Sequence, residues 1–305
     1  MICWVATNLT VKSLSGSRLD NLRSLDRVVQ FGAACYPRPL SRFLCAYYRG
    51  QDHPAKLRIL QWMETALGEK RIIVNTECGF QMAVDKADYI QRHLLYDAIW
   101  EPLVSELLKV ELRKDDVFFD IGANVGYFTC LALQMGIDHT VAFEPDPLTR
   151  QILGLNVHLN NFAKHCVQIV PNALSDSAGN QRFFRAHVSN TGQSGLTNRN
   201  VVSSFDVALE TIDRLVYQGR VPVPTVLKID VEGWERNVLR GAHTLLRTHP
   251  PRAIIFEADA LPNGEIVDRN LASDLLECGY SISPLLDANR PDEKAEFVAR
   301  LKNET

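Results

Sequence analysis

VFFDIGANVGYF, residues 117–128, is the stretch whose reading decides the fold. Val117 to Ile121 form a short apolar run interrupted by one acid, Asp120, and GYFTCLALQM (126–135) continues with the composition of a buried helix. Between them lie Gly122, Asn124 and Gly126, candidate ligand-binding residues because a glycine-rich turn lets the backbone approach a ligand closely. A strand, a glycine-rich turn and a helix in that order form the first βα turn of a doubly wound sheet, whose ligands bind at the carboxyl ends of the strands.

The downstream sequence repeats the pattern. Apolar runs at 140–144 (TVAFE), 167–174 (VQIVPNAL), 225–230 (TVLKID), 253–258 (AIIFEA) and 280–285 (YSISPL) read as further strands. Helical stretches at 147–160, 232–248 and 270–278 separate them, with the polar HVSNTGQSGLTNRNVVSS (187–204) between the third and fourth strands. Apolar strands alternating with amphipathic helices predict an α/β fold, a mostly parallel sheet with helices on both faces. AEFVARL (295–301) is expected to add an edge strand, and 187–204 to be a mobile loop or a lid over the substrate. Upstream, 53–68 has helical spacing, RIIVNT (71–76) and FQMAV (80–84) read as a small hairpin, and 88–112 as two helices. QFGAACYPRPLSRFLCAYYRG (30–50) reads as an extension packed on the domain, with a surface-lying helix as the alternative. The expected division is an N-terminal extension over 1–112 and a ligand-binding domain over 113–305.

Composition bounds the function. With 305 residues, 46% hydrophobic and 23% charged, the chain has ample material for a large core. A formal charge of -3 gives no case for general nucleic-acid binding. No apolar run reaches the ~20 residues of a membrane span, and the start lacks the pattern of a secretory signal. The seven cysteines show no C-x-x-C spacing and read as reduced thiols of a cytoplasmic protein. Asn8-Leu9-Thr10 is then a chance sequon.

The turn also discriminates between cofactors. Asp120 in front of it would repel a pyrophosphate, whereas a carboxylate suits a cation such as the ammonium or sulfonium of S-adenosylmethionine. Glu144, at the end of the next strand, stands where an acid accepts both hydroxyls of a ribose. Asp176, in NALSD, is placed to border the adenine, with a turn or cap role as the alternative.

VLKIDVEGWE (226–235) raises a second question, because Lys228, Asp230 and Glu232 put charges of both signs at alternate positions of a buried strand. Unpartnered, such charges are costly to bury. DVFFDIGANVGYF, AFEPDP, NALSD and LKIDVEGWERNVLRGA, in this order and with the lead-in DYIQRHLLYDAIWEP, resemble the FkbM family of S-adenosylmethionine-dependent methyltransferases from about residue 80 to about 260. The resemblance implies a Rossmann-like class I fold and methyl transfer, usually to a hydroxyl of a sugar, polyketide or similar small acceptor. In that topology the charges emerge beside the reactive methyl. Asp230 is then the candidate base or orienting carboxylate, Lys228 its electrostatic partner, and Glu257, at the end of the next strand, a third member.

Competing assignments stay open at this level. Asp230, Glu257 and Asp259 would suit a magnesium ion. A Lys228–Asp230 pair would merely close the strand, and Glu232 would cap the following helix. Trp234 would roof the acceptor or pack on the sheet, and His187 is the one histidine placed near an acceptor. An NAD(P)-dependent oxidoreductase and a non-catalytic nucleoside-binding module are the rival functions. The acceptor and the oligomeric state are not legible.

Overall fold

The computed structural model describes Tyr47 and residues 71–163, 166–186, 191–197, 201–261, 264–285 and 294–302. The readings of 30–50, apart from Tyr47, of 53–68 and of His187 lie outside the described residues. The described chain opens with the hairpin β1 (Arg71–Asn75) and β2 (Gln81–Asp85), followed by helices α1 (Tyr89–Asp97) and α2 (Pro102–Glu111). Asp88 starts α1 by accepting the N–H of Gln91 at 2.9 Å, an N-cap that satisfies a donor the helix leaves free.

The alternating half contains β3 (Val117–Ile121), α3 (Tyr127–Gln134), β4 (His139–Phe143), α4 (Pro147–Leu159) and β5 (Val167–Val170). Next come three strands, β6 (Ala173–Leu174), β7 (Gly179–Ala186) and β8 (Val201–Glu210), then α5 (Ile212–Tyr217) and β9 (Val226–Ile229). The chain finishes with α6 (Glu235–Arg240), α7 (His243–Thr248), β10 (Ala253–Asp259), α8 (Arg269–Glu277), β11 (Tyr280–Leu285) and β12 (Lys294–Leu301).

The central sheet has the order β11-β12-β10-β9-β3-β4-β5. From β10 to β5 all neighbours are parallel, and β12 is antiparallel to both β10 and β11. Successive residues therefore serve opposite faces. Phe118, Val226 and Ile255 enter one core with the hairpin, α3 and α4, while Phe119, Leu227 and Ile254 enter a second core with α5 to α8. Burial on both sides explains the nearly unbroken apolar strands, and each fully buried Leu or Phe contributes about 1.5–3 kcal/mol.

Four expectations are corrected. AEFVARL is not at an edge: β12 is inserted between β10 and β11 and bonded to both. VQIVPNAL breaks at Pro171, which has no N–H to offer a ladder, so β5 belongs to the large sheet and β6 to a three-stranded sheet ordered β6-β8-β7. The helix read over 232–248 is two, because the Asp213 carboxylate caps a new start by accepting the N–H groups of Thr244 and Leu245, each at 2.8 Å. The end of the polar stretch is β8, paired with an unforeseen β7; Phe205, Val207 and Leu209 carry its inward alternation.

The order of strands reverses at β3. The chain moves outward through β4 and β5, then returns to the other side of β3 with β9 and β10. This is the topological switch point, where the carboxyl ends of neighbouring strands part and leave a crevice.

Candidate active site

A cleft of about 570 Å³ opens at that point, lined by Gly122 and Asn124 of the first turn, Glu144 after β4, Lys228 of β9, Asp230 just beyond it and Glu257 of β10. The first turn is held from both sides. Gly122, at φ +80°, lies so close to β9 that a Cβ there would come within 1.8 Å of the Asp230 carbonyl oxygen. A Cβ on Gly126 would meet Leu153 at 2.9 Å. The glycines thus make room for the protein's own backbone and side chains. Asn156, fully buried, accepts the N–H of Ala83 and donates to the Val125 carbonyl, each at 2.8 Å, which ties the hairpin to the turn.

The alternation of the sheet answers the question raised by the charges of 226–235. Asp120 and Lys228 are register partners on β3 and β9, and Glu257 and Glu296 are partners on β10 and β12. By period-two parity all four point to the face that holds Phe118 and Ile255. Lys228, 2% exposed, donates from Nζ to Asp230 Oδ2 at 2.8 Å and lies 4.6 Å from the Phe128 ring centre. Burial alone would lower its pKa; Asp230, Glu101 and Asp120 outweigh burial and raise it, so the ammonium stays charged.

Asp120 is fully buried and lies outside the cleft lining. Thr129 donates its hydroxyl to Asp120 Oδ2 at 2.5 Å. Burial raises the Asp120 pKa, against Lys228 and Thr129, which lower it. Glu144 is differently placed: its carboxylate lines the cleft and accepts the N–H groups of Asn124 at 2.9 Å and Asp146 at 2.8 Å. Burial pushes it up to about 8 despite these donors.

Asp176 stands outside the lining, paired with Arg240 at 3.5 Å, whereas its neighbours Asn172, Ala173 and Leu174 face the cleft. Glu232 does not cap a helix. It sits in the left-handed region at φ +55° and lines the cleft, while α6 begins at Glu235, whose carboxylate accepts the N–H groups of Val231 and Gly233. Trp234 lines the cleft and donates its indole N–H to Ser175 Oγ at 3.1 Å. Asp259 is outside the lining, and among the described residues no group of three or more His, Cys, Asp or Glu is arranged to hold a metal ion.

Four wall residues escaped the sequence reading: Tyr89 and Ile90 from α1, and Trp100 and Glu101 before α2. Gly192–Leu196, within the stretch expected to be a loop or lid, also line the cleft. The latter segment is bonded to β7 through Phe184 and Gly195, at 2.8 and 3.0 Å. Nothing in the sequence marks Glu101 for its left-handed backbone at φ +40°. Glu296, across from Glu257, was legible only as a charge on an apolar strand; burial raises its pKa well above the usual value, aided by Glu101, Asp230 and Glu257 and opposed by Lys228.

A doubly wound sheet of this order, with a glycine turn at its switch point and a carboxylate ending the adjacent strand, defines a Rossmann-like methyltransferase fold. The chain belongs to the FkbM methyltransferase family: the profile of the methyltransferase FkbM domain matches residues 120–282. It is 33% identical over 196 residues to the hexuronic acid methyltransferase AglP of Haloferax volcanii, covering 63% of this chain and 77% of that one. Among solved structures it is similar to a methyltransferase FkbM from Methylobacillus flagellatus KT, with 15% identity and a TM-score of 0.47, over 86% of this chain. The chain spans 58% of that protein's length. TYW2 of M. jannaschii, solved in complex with AdoMet, is 13% identical with a TM-score of 0.45, over 76% of this chain and 86% of that one.

Proposed function

We propose that this protein transfers a methyl group from S-adenosylmethionine to a hydroxyl oxygen of a small, sugar-like acceptor. One observation carries the reading: the glycine turn, Glu144 and the Lys228–Asp230 pair meet in one cleft at the switch point. The residues present fit the cofactor. Asn124, at φ +49°, holds a buried Oδ1 with no hydrogen-bond partner among the described residues, and Glu144 faces the same space with a carboxylate suited to ribose hydroxyls. The hexuronic acid in the name of the archaeal relative supports a sugar-like acceptor.

When bound, the cofactor supplies an electrophilic methyl on a sulfonium. The chain's own task is to position the acceptor and take one proton. With Oδ2 receiving the Lys228 hydrogen bond, Asp230 has Oδ1 left to accept the acceptor's O–H proton as the oxygen–carbon bond forms and the carbon–sulfur bond breaks. Glu257 is the second carboxylate of the pair that orients the hydroxyl. Asp120 acts from behind the wall, on Lys228, while Gly122 and Gly126 shape the cofactor turn; Asp176 borders the adenine end through its neighbours. Residues 113–305 form the methyltransferase domain in this reading, and the described part of 1–112 supplies one wall of its cleft. No helix among the described residues is long and apolar enough to cross a membrane. The four described cysteines are free, which supports a cytoplasmic setting.

S-adenosylhomocysteine is expected to raise the melting temperature, by about 2.7 kcal/mol of stabilisation at a hundred times its Kd, and NAD to leave it unchanged. The opposite pattern would favour the oxidoreductase. Binding should also depend on pH through Glu144. Ribose hydroxyls donate to the ionised carboxylate, so below its pKa of about 8 binding must expel a proton. Affinity for S-adenosylhomocysteine should rise up to roughly tenfold per pH unit from pH 6 toward 8 and then level off; a flat calorimetric profile would remove Glu144 from the ribose.

A further inference from the structure

Tyr89 lines the cleft and is 51% exposed, although Tyr96 in the same helix is sealed to 2%. Trp100 lines the cleft as well, and packs against the core that holds Phe118. His93 stands between them, its ring centroid 4.9 Å from that of Tyr89 and 5.8 Å from that of Trp100, with Nδ1 held 3.0 Å from Asp97 Oδ2. The three rings form one connected cluster, and two of them border the cleft.

The backbone fixes this wall. Ala98 and Glu101 take left-handed φ values of +58° and +40° on either side of Ile99 and Trp100, a conformation that residues with a side chain keep only where the surroundings enforce it. The Glu77 N–H donates to the Ala98 carbonyl and the Ser105 hydroxyl to the Trp100 carbonyl, each at 2.8 Å. The rings are therefore in place before a ligand arrives, which spares part of the ordering cost of binding. Glu101, next in sequence, is among the charges that hold the Lys228 ammonium, so the wall ends near the Lys228–Asp230 pair. The turn Thr191–Gln193 comes within 8 Å of α1 between Cα atoms.

A saturated sugar ring has faces made of C–H bonds and a rim of hydroxyls. Aromatic surface takes the C–H face out of water and leaves the rim free to react. The structure assigns to Tyr89 and Trp100 the acceptor subsite, a platform on which the C–H face of a pyranose ring stacks while a hydroxyl at its rim meets Asp230. The assignment rests on the methyl-transfer reading and names the residues that select its substrate: closed pyranose rings are taken, and open-chain polyols with similar hydroxyls are not.

Calorimetric titration of the full chain loaded with S-adenosylhomocysteine tests it with the methyl β-pyranosides of glucose and glucuronic acid and with glucitol, which has the hydroxyls but no ring. At least one glycoside should bind with a Kd in the millimolar range, and glucitol at least about tenfold more weakly. Tyr89→Leu, which keeps an apolar side chain and removes the ring, should weaken the glycoside about three- to tenfold. Tyr89→Phe should recover most of that loss, and Trp100→Leu should cost at least as much as Y89L; if W100L does not fold, the two substitutions at the half-exposed Tyr89 carry the test. The Kd of S-adenosylhomocysteine should stay within about twofold in Y89L. A parallel loss of cofactor affinity would place the rings on the cofactor and overturn the assignment, as would Y89L binding the glycoside like the wild type, glucitol bound as well as the glycosides, or no glycoside bound at about 50 mM. Cofactor binding by the wild type is measured first. Its failure would overturn the methyl-transfer reading as well, whereas cofactor binding without ring-dependent glycoside binding overturns the platform alone.

Discussion

Replacing Asp230 by asparagine is expected to lower kcat by roughly 10²- to 10⁴-fold, the usual worth of a positioned general base. The amide oxygen can still accept the hydrogen bond that Lys228 Nζ now gives to Asp230 Oδ2 at 2.8 Å. The buried ammonium also keeps Glu101 and Asp120 as electrostatic partners, so the fold should survive. The Kd of S-adenosylhomocysteine should then stay within about threefold of the wild type, because only the proton acceptor has been removed. Single-turnover kinetics beside calorimetry separate the two quantities. A kcat within about threefold of the wild type would exclude Asp230 from proton transfer and return the Lys228–Asp230 pair to a purely structural role.

Among the described glycines, Gly122→Ala should be the most damaging substitution. The added Cβ would lie 1.8 Å from the Asp230 carbonyl oxygen, and neither backbone can yield cheaply: Ile121 and Asp230 are tied by a 3.0 Å hydrogen bond from the Asp230 N–H. The φ of +80° adds strain for any residue with a side chain. A loss of at least ~3 kcal/mol follows, or at least about 6 °C in melting temperature for a chain of this size, together with loss of cofactor binding. A melting temperature within about 2 °C of the wild type, with cofactor bound normally, would show that the turn tolerates far more movement than its contacts allow.

The sequence revealed the sheet because its information is local and repetitive. Val117–Ile121 and Val226–Ile229 announce themselves as strands by composition, and the glycines between strand and helix mark the turn. Glu144 could be placed by spacing alone. What stayed hidden depends on contacts between distant segments. The sequence gives no sign that Asp120 would be sealed away from the cleft, since its surroundings come from Lys228 one strand over and Thr129 a helical turn on. Glu101 and Trp100 reach the site only because α1 and α2 fold across the sheet's face, and their sequence reads as ordinary helical lead-in. Glu232 was misread for a simpler reason: an acid ahead of a helix resembles a cap, and only the backbone shows that the helix begins three residues later.

The placement of β12 bears on how the molecule comes into being. Residues 294–301 fill a slot between β10 and β11, pairing with seven residues on one side and six on the other, and they bury Phe297, Val298 and Ala299. Until residue 301 has emerged from the ribosome, that slot stays empty and two strand edges stand open, the condition in which chains pair with the wrong neighbour. The parallel half of the sheet, with its crevice, can assemble during synthesis, but β10 and β11 gain their shared partner only once residues 294–301 have been made. The nascent protein thus passes through a stage in which its cofactor end is shaped and its far edge is still adhesive.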